Sequence, residues 1–104
     1  MFVWNTLYMY YKFLIQENQK YNLTSITEES LVYLKHFYDS LTITKSINLK
    51  DQYICDIGTG AGFPGIVLKI FFPEIKIDLL DSTGKKCEFL NKVIEKLELK
   101  NIKT

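Results

Sequence analysis

The stretch of sequence that decides the fold is Asp56-Ile57-Gly58-Thr59-Gly60-Ala61-Gly62. Residues 53–57 are mostly apolar and predict a short strand, whereas residues 63–72 are apolar nearly all round and predict a buried helix that Pro73 ends. Three glycines at alternate positions allow a tight turn and a close approach of a ligand to the backbone. The following helix directs its first N–H groups toward the same point. We therefore expect a strand, a glycine turn and a helix, with a small-molecule site at the turn.

Further strands and helices follow this unit in strict alternation. Residues 75–80 predict a second strand, and residues 101–104 predict the start of a third. Between them, apolar residues at helical spacing predict an amphipathic helix; they are Leu90, Val93, Ile94 and Leu97. Alternating strands and helices imply a parallel sheet with right-handed crossovers, whose ligands bind beyond the carboxyl ends of the strands. The glycine turn and Asp81 both fall at those ends.

Two helices are predicted before the first strand. The first runs from residue 2 to about residue 19, and its apolar face is formed by Val3, Leu7, Tyr11, Leu14 and Ile15. The second has a predicted buried stripe formed by Leu31, Leu34, Tyr38 and Leu41. We expect a single domain, in which residues 1–50 form a helical segment and residues 51–104 form the first half of a Rossmann-like α/β unit.

Three kinds of nucleotide site are compatible with a glycine-rich turn after a strand. A phosphate-binding P-loop needs Gly-x-x-x-x-Gly-Lys, but Ile66 follows Gly65, so this alternative fails. A dinucleotide site needs G-x-G-x-x-G/A, and Phe63 occupies the last position, where it would obstruct helix–strand packing. The remaining pattern is G-x-G-x-G after an acidic residue, which is characteristic of methyltransferases that bind S-adenosylmethionine.

Two aspartates accompany the glycine turn. Asp81 ends the second strand about 20 residues after the turn, where a carboxylate can accept hydrogen bonds from ribose hydroxyls. Asp56 lies directly before the turn. It is expected either to reach the amino group of the methionine end of the cofactor or to brace the turn by accepting backbone N–H bonds, and both roles can hold together.

Composition narrows the function classes. The chain has 104 residues, with 13 Lys and no Arg against 12 Asp and Glu, for a net charge of +1. That balance disfavours a strong general nucleic-acid footprint but allows a local basic patch. The cysteines, Cys55 and Cys87, form neither a disulfide framework nor a metal cluster. The apolar N-terminus lacks a basic leader and is interrupted by polar residues, so we expect a cytoplasmic protein.

Four segments together resemble the RsmG (GidB) family of bacterial small-subunit rRNA methyltransferases. They begin at Tyr21-Asn22-Leu23-Thr24, Lys35-His36-Phe37-Tyr38-Asp39, Asp56-Ile57-Gly58 and Leu79-Leu80-Asp81. The continuation of the glycine motif into Phe63-Pro64-Gly65, together with the Asn-Leu-Thr and His-x-x-Asp-Ser segments, distinguishes this family from other methyltransferases. The family pattern continues past residue 104, so the chain is expected to be the N-terminal part of a longer protein, with an incomplete sheet.

The resemblance implies transfer of a methyl group from S-adenosylmethionine to N7 of a guanosine in 16S rRNA of the small ribosomal subunit. It places Gly58 and Phe63 at cofactor-contacting positions and includes His36 and Asp39, which either fix their helix or support RNA contact or the active site. The full set of predicted cofactor-binding residues is Asp56, Gly58, Gly60, Gly62, Phe63 and Asp81. No residue is assigned as a chemical catalyst, and we expect a monomer that needs neither a membrane nor DNA.

Two other functions remain open from the sequence. One is a truncated, catalytically silent module that binds the cofactor or a partner. The other is a nicotinamide-dependent dehydrogenase, which the phenylalanine at position 63 disfavours.

Overall fold

The structure is a computed structural model that describes residues 3–21, 23–25, 27–42 and 52–104. The chain begins with helical segments and continues into alternating strands and helices. In order, the elements are helix α1 (Val3–Tyr21), helix α2 (Glu29–Val32), a π-helical segment (Tyr33–Tyr38), helix α3 (Asp39–Leu41), strand β1 (Tyr53–Ile57), helix α4 (Gly65–Phe71), strand β2 (Lys76–Leu80), helix α5 (Gly84–Lys96) and strand β3 (Ile102–Lys103).

The sheet is parallel throughout the described residues, with the order β1-β2-β3. Tyr53 to Ile57 pair in register with Lys76 to Leu80, so the two strands end together. Helices α4 and α5 form the crossovers between strands. The predicted β-α-β-α-β order and parallel sheet are confirmed, and this arrangement is that of a Rossmann-like fold after N-terminal helices.

Helix α1 packs across helices α4 and α5. Its most buried apolar side chains are Leu7, Tyr10 and Leu14, whereas Val3, Tyr11 and Ile15 of the predicted face are only partly buried. The ring of Phe13 stacks on that of Phe89 in α5, with centroids 5.7 Å apart. The helix is therefore predicted correctly, but its buried face is centred on Tyr10.

The second helical region is continuous, since α2, the π-helical segment and α3 follow one another without a break. The predicted buried stripe is wrong: Leu34 is 57% exposed and Tyr38 is 55% exposed, whereas Val32 and Phe37 are buried. A π-helix has a wider turn, with hydrogen bonds between residues five apart. Val32 and Phe37 are five apart, so both can face the core, which an α-helical period does not predict.

Helix α4 is the most deeply buried element, with every residue from Gly65 to Ile70 buried. It starts two residues later than predicted because Pro64 occupies the N-cap position. Its one charged residue, Lys69, is buried and donates hydrogen bonds to the carbonyl oxygens of Pro73 and Ile75. The ammonium group thereby satisfies carbonyls of the turn that leads into β2.

Candidate functional site

The glycine turn is held against the end of β2. The N–H groups of Gly58 and Thr59 both donate to the carbonyl oxygen of Leu80, at 2.7 and 3.1 Å. Gly58, Gly60 and Gly62 have φ values of +71°, +58° and +102°, in the region that side chains rarely tolerate. The backbone conformation itself therefore requires the alternate glycines.

The three glycines of the turn differ in how much open space adjoins their backbone, which decides where a ligand could approach. A Cβ at Gly62 would lie 2.6 Å from Cδ1 of Ile66 and 2.7 Å from the hydroxyl of Tyr10, so protein atoms fill that side. Apart from its neighbours in sequence, a Cβ at Gly58 or at Gly60 would meet no atom of the described residues within 4 Å. The backbone at Gly58 and Gly60 is thus approachable by a ligand, while the backbone at Gly62 is packed inside the protein.

Asp81 lies directly beside the turn. Its Oδ2 accepts a hydrogen bond from the N–H of Gly60 at 2.9 Å, and its Oδ1 accepts one from the N–H of Thr83 at 2.9 Å. Backbone N–H groups of Thr83 and Gly60 lower the pKa of the Asp81 carboxyl from its ordinary value, so the group is ionised at neutral pH. A carboxylate has room for further hydrogen bonds, so Asp81 can also accept from a ligand at the open side of the turn.

Asp56 braces the turn from inside. Its Oδ2 accepts hydrogen bonds from the hydroxyl of Thr59 at 2.7 Å and from the N–H of Gly65 at 2.9 Å. Burial raises the pKa of the Asp56 carboxyl, although these two hydrogen bonds oppose the rise. The bracing role is therefore present in the geometry, and a contact with the methionine end of a cofactor stays a prediction.

Phe63 connects the turn to the N-terminal helices. Its ring stacks on the imidazole of His36, with centroids 4.4 Å apart and an interplanar angle of 11°. Tyr10 and Phe37 contact the same ring, at centroid distances of 5.7 and 5.9 Å. Phe63 is half-buried, so this cluster fixes its orientation next to the glycines.

His36 and Asp39 differ in their surroundings. The Nε2 atom of His36 lies 3.0 Å from the hydroxyl oxygen of Thr24, and Asp39 is exposed. Burial lowers the pKa of His36, and the charge of Asp39 opposes that shift only in part. The ring of His36 thus supports Phe63, and its role in RNA contact remains a prediction.

The sequence analysis missed three residues that shape the turn. Tyr10 is fully buried and its hydroxyl donates to the carbonyl oxygen of Ala61, while Thr59 donates to Asp56. Gly65 allows α4 to approach β2 closely, because a Cβ there would collide with Leu79 and with Asp56. The spacing of Tyr10 from Leu7 and Leu14 is helical, so its burial could have been predicted, but its partner could not.

The described residues form neither a candidate metal site nor a helix that could span a membrane. They contain no group of three or more His, Cys, Asp or Glu side chains placed to hold a metal ion. Among the same residues, no helix combines the length and the apolar character that crossing a membrane requires.

A parallel sheet with a glycine turn after β1 and a carboxylate after β2 is the arrangement of the Rossmann-like class, in which nucleotide cofactors bind beyond the carboxyl ends of the strands. Comparison with known families makes this more specific. The GidB family, described as rRNA small subunit methyltransferase G, matches residues 4–104. The chain belongs to this family, as the resemblance in sequence indicates.

Curated relatives named ribosomal RNA small subunit methyltransferase G support the assignment. The relative from Mycoplasma mycoides subsp. mycoides is 60% identical over 98 residues, which cover 94% of this chain and 72% of the relative. The relative from Mesoplasma florum is 64% identical over 93 residues, covering 89% of this chain and 39% of the relative. The relative from Staphylococcus saprophyticus is 54% identical over 94 residues, which cover 89% of this chain and 39% of the relative. The chain thus spans well under half the length of the latter two.

Proposed function

We propose that the protein transfers a methyl group from S-adenosylmethionine to N7 of a guanosine in 16S rRNA. The observation that supports this most directly is the open, positive-φ backbone at Gly58 and Gly60, hydrogen-bonded to Asp81, in a chain of the GidB family. The family description gives methyl transfer to small-subunit rRNA, and the resemblance implies guanine N7 as the acceptor and S-adenosylmethionine as the donor.

The proposed cofactor site uses three features of the chain. The backbone of Gly58 and Gly60 has no side chain to keep a ligand away, and Asp81 offers carboxylate oxygens to ribose hydroxyls. Phe63 contributes an apolar wall whose orientation the His36 stack fixes. Asp56 holds the turn in shape by accepting hydrogen bonds from Thr59 and Gly65, and a further contact with the methionine end of the cofactor is part of the proposal.

Methyl transfer to guanine N7 requires the protein mainly to position the two reactants. S-adenosylmethionine supplies a methyl group already activated by its sulfonium charge, and guanine N7 has a lone pair and carries no proton. A general base is therefore unnecessary, and a fixed turn that aligns both reactants accounts for most of the contribution of the protein. Methyltransferases of this kind need no nucleophilic or metal centre, so none is assigned.

The test combines cofactor binding with methyl transfer by the protein as its gene encodes it. We expect the wild type to bind S-adenosylmethionine in calorimetry and to label unmodified small-subunit rRNA at guanine N7. Asp81→Asn should weaken cofactor binding by roughly tenfold or more, since a hydrogen bond to a charged group contributes about 1.5–3 kcal/mol. Asp78→Asn is the matched control, because Asp78 lies in β2, three residues before Asp81, and accepts a hydrogen bond from Tyr53 away from the turn.

The outcomes separate the functions considered. No labelling of guanine N7 by a protein that binds the cofactor would favour a catalytically silent binding module. Binding of NAD in preference to S-adenosylmethionine would favour a dehydrogenase. Equal cofactor affinity of Asp81→Asn and Asp78→Asn would remove Asp81 from the proposed site.

A further inference from the structure

A second concave site lies next to Phe63, on the side of the second helical region. It has a volume of about 230 Å³. Four of its lining residues come from that helical region and two from the end of the glycine turn: Lys35, His36, Asp39, Ser40, Phe63 and Pro64. The site therefore adjoins the proposed cofactor site through the ring of Phe63, and we call it the Asp39 pocket.

The apolar part of the Asp39 pocket is held by ring stacking and hydrogen bonds. The rings of His36 and Phe63 stack on each other, Thr24 contacts the imidazole of His36, and Tyr10 and Phe37 support the ring of Phe63. Ser40 is buried and donates its hydroxyl to the carbonyl oxygen of His36 at 2.6 Å. Proteins recognise unpaired RNA bases with flat aromatic surfaces of this kind, which lose little freedom on binding.

The polar part of the Asp39 pocket carries one charge of each sign. Lys35 and Asp39 are both exposed and lie on consecutive turns of the same helical region. A carboxylate accepts two parallel hydrogen bonds, and guanine offers two parallel donors, N1–H and the N2 amino group. An ammonium group suits a phosphate. Adenine and the pyrimidines do not present this pair of donors.

We propose that the Asp39 pocket binds a guanine nucleotide of the RNA, with Asp39 accepting from N1–H and N2–H and Lys35 contacting a phosphate. This inference rests on the proposed function, and it gives the target base a place beside the cofactor turn. Because N7 lies on the opposite edge of guanine from N1 and N2, a base held by Asp39 keeps N7 clear of its own recognition contacts.

The experiment measures RNA affinity by fluorescence anisotropy with the protein as its gene encodes it. The probe is a short, labelled, single-stranded RNA of pyrimidines with one central guanosine, and a second probe has inosine there, which lacks the N2 amino group. The variants are Asp39→Asn and Lys35→Ala. The matched control is Lys76→Ala, since Lys76 is also exposed but starts β2, at the opposite end of the sheet from the turn.

The expected results follow from the assigned contacts. Asp39→Asn should weaken binding of the guanosine probe roughly tenfold, and inosine should weaken binding to the wild type by a similar factor. Inosine should bring no further loss in Asp39→Asn, because both changes remove the same contact. Lys35→Ala should weaken binding of both probes equally and reduce the salt dependence, whereas Lys76→Ala should bind as the wild type does.

Each contrary result has one meaning. A full inosine penalty in Asp39→Asn, or wild-type affinity of both variants, would overturn the pocket assignment. Methyl transfer to small-subunit rRNA, measured on the same preparations, keeps this apart from the proposed function. Transfer by the wild type together with unaltered RNA binding in the variants would leave the reaction standing without the pocket. The predicted binding pattern without transfer would support the pocket and contradict the reaction.

Discussion

Tyr10 contacts the glycine turn from a distant part of the sequence, since it lies 51 residues from its hydrogen-bond partner, Ala61. Its ring is stacked with Phe37 at 5.5 Å, and its hydroxyl fills the space above Gly62. Burial raises the pKa of Tyr10 well above its ordinary value, and the charge of Asp56 adds to the rise. The hydroxyl is therefore protonated at neutral pH and can donate its hydrogen bond.

Tyr10→Phe is expected to keep the ring stack and lose the donor, which leaves the carbonyl of Ala61 unpaired. Leaving a buried polar group without its partner costs about 1–3 kcal/mol of unfolding free energy, which urea denaturation would measure. The matched control is Tyr11→Phe, since the Tyr11 hydroxyl makes only a long, exposed hydrogen bond of 3.4 Å to Thr27. Equal unfolding free energies for the two variants would show that the hydroxyl of Tyr10 does not hold the turn.

At the scale of single elements, short sequence motifs predicted the structure better than the spacing of apolar residues did. Strand β1 and the glycine turn were predictable because a short apolar run and three glycines specify their own backbone conformation. The face of the second helical region was not, because period alone does not reveal a π-helical segment that brings Val32 and Phe37 to the core. The Tyr10–Ala61 contact was also hidden, since it depends on how α1 packs after the elements have formed.

Two substitutions can test which face of the second helical region is buried. Val32 is 0% exposed, so Val32→Ala should lower the unfolding free energy by about 1–2 kcal/mol through lost apolar burial. Leu34→Ala removes a larger side chain, yet it should change stability by less than about 0.5 kcal/mol because Leu34 is mostly exposed. Thermal unfolding of both variants gives the comparison. A larger loss for Leu34→Ala would restore the α-helical stripe that the sequence predicts.

At the scale of the whole molecule, helix α1 contacts both the glycine turn and helix α5. Tyr10 reaches the turn, while Glu17, further along α1, is buried and forms ion pairs with Lys20 at 3.3 Å and with Lys92 of α5 at 3.4 Å. Burial by itself raises the pKa of the Glu17 carboxyl, but hydrogen bonds and charges of the two lysines outweigh it, and the pKa is lowered. Folding thus favours the ionised form of the Glu17 carboxyl.

Because the pKa of Glu17 is lowered in the folded state, the unfolding free energy should depend on pH. A carboxyl whose pKa is lower in the folded state adds stability above its unfolded pKa of about 4.3, and that contribution is lost as the pH falls through the folded pKa. Glu17→Gln should therefore unfold more easily than the wild type at pH 7, by on the order of 1 kcal/mol, and this difference should shrink in acid. Urea denaturation at neutral and acidic pH measures both. The control is Glu95→Gln, because Glu95 is exposed on α5, and its unfolding free energy should follow that of the wild type at both pH values. If the loss of unfolding free energy in Glu17→Gln stayed constant with pH, packing rather than charge would join α1 to α5.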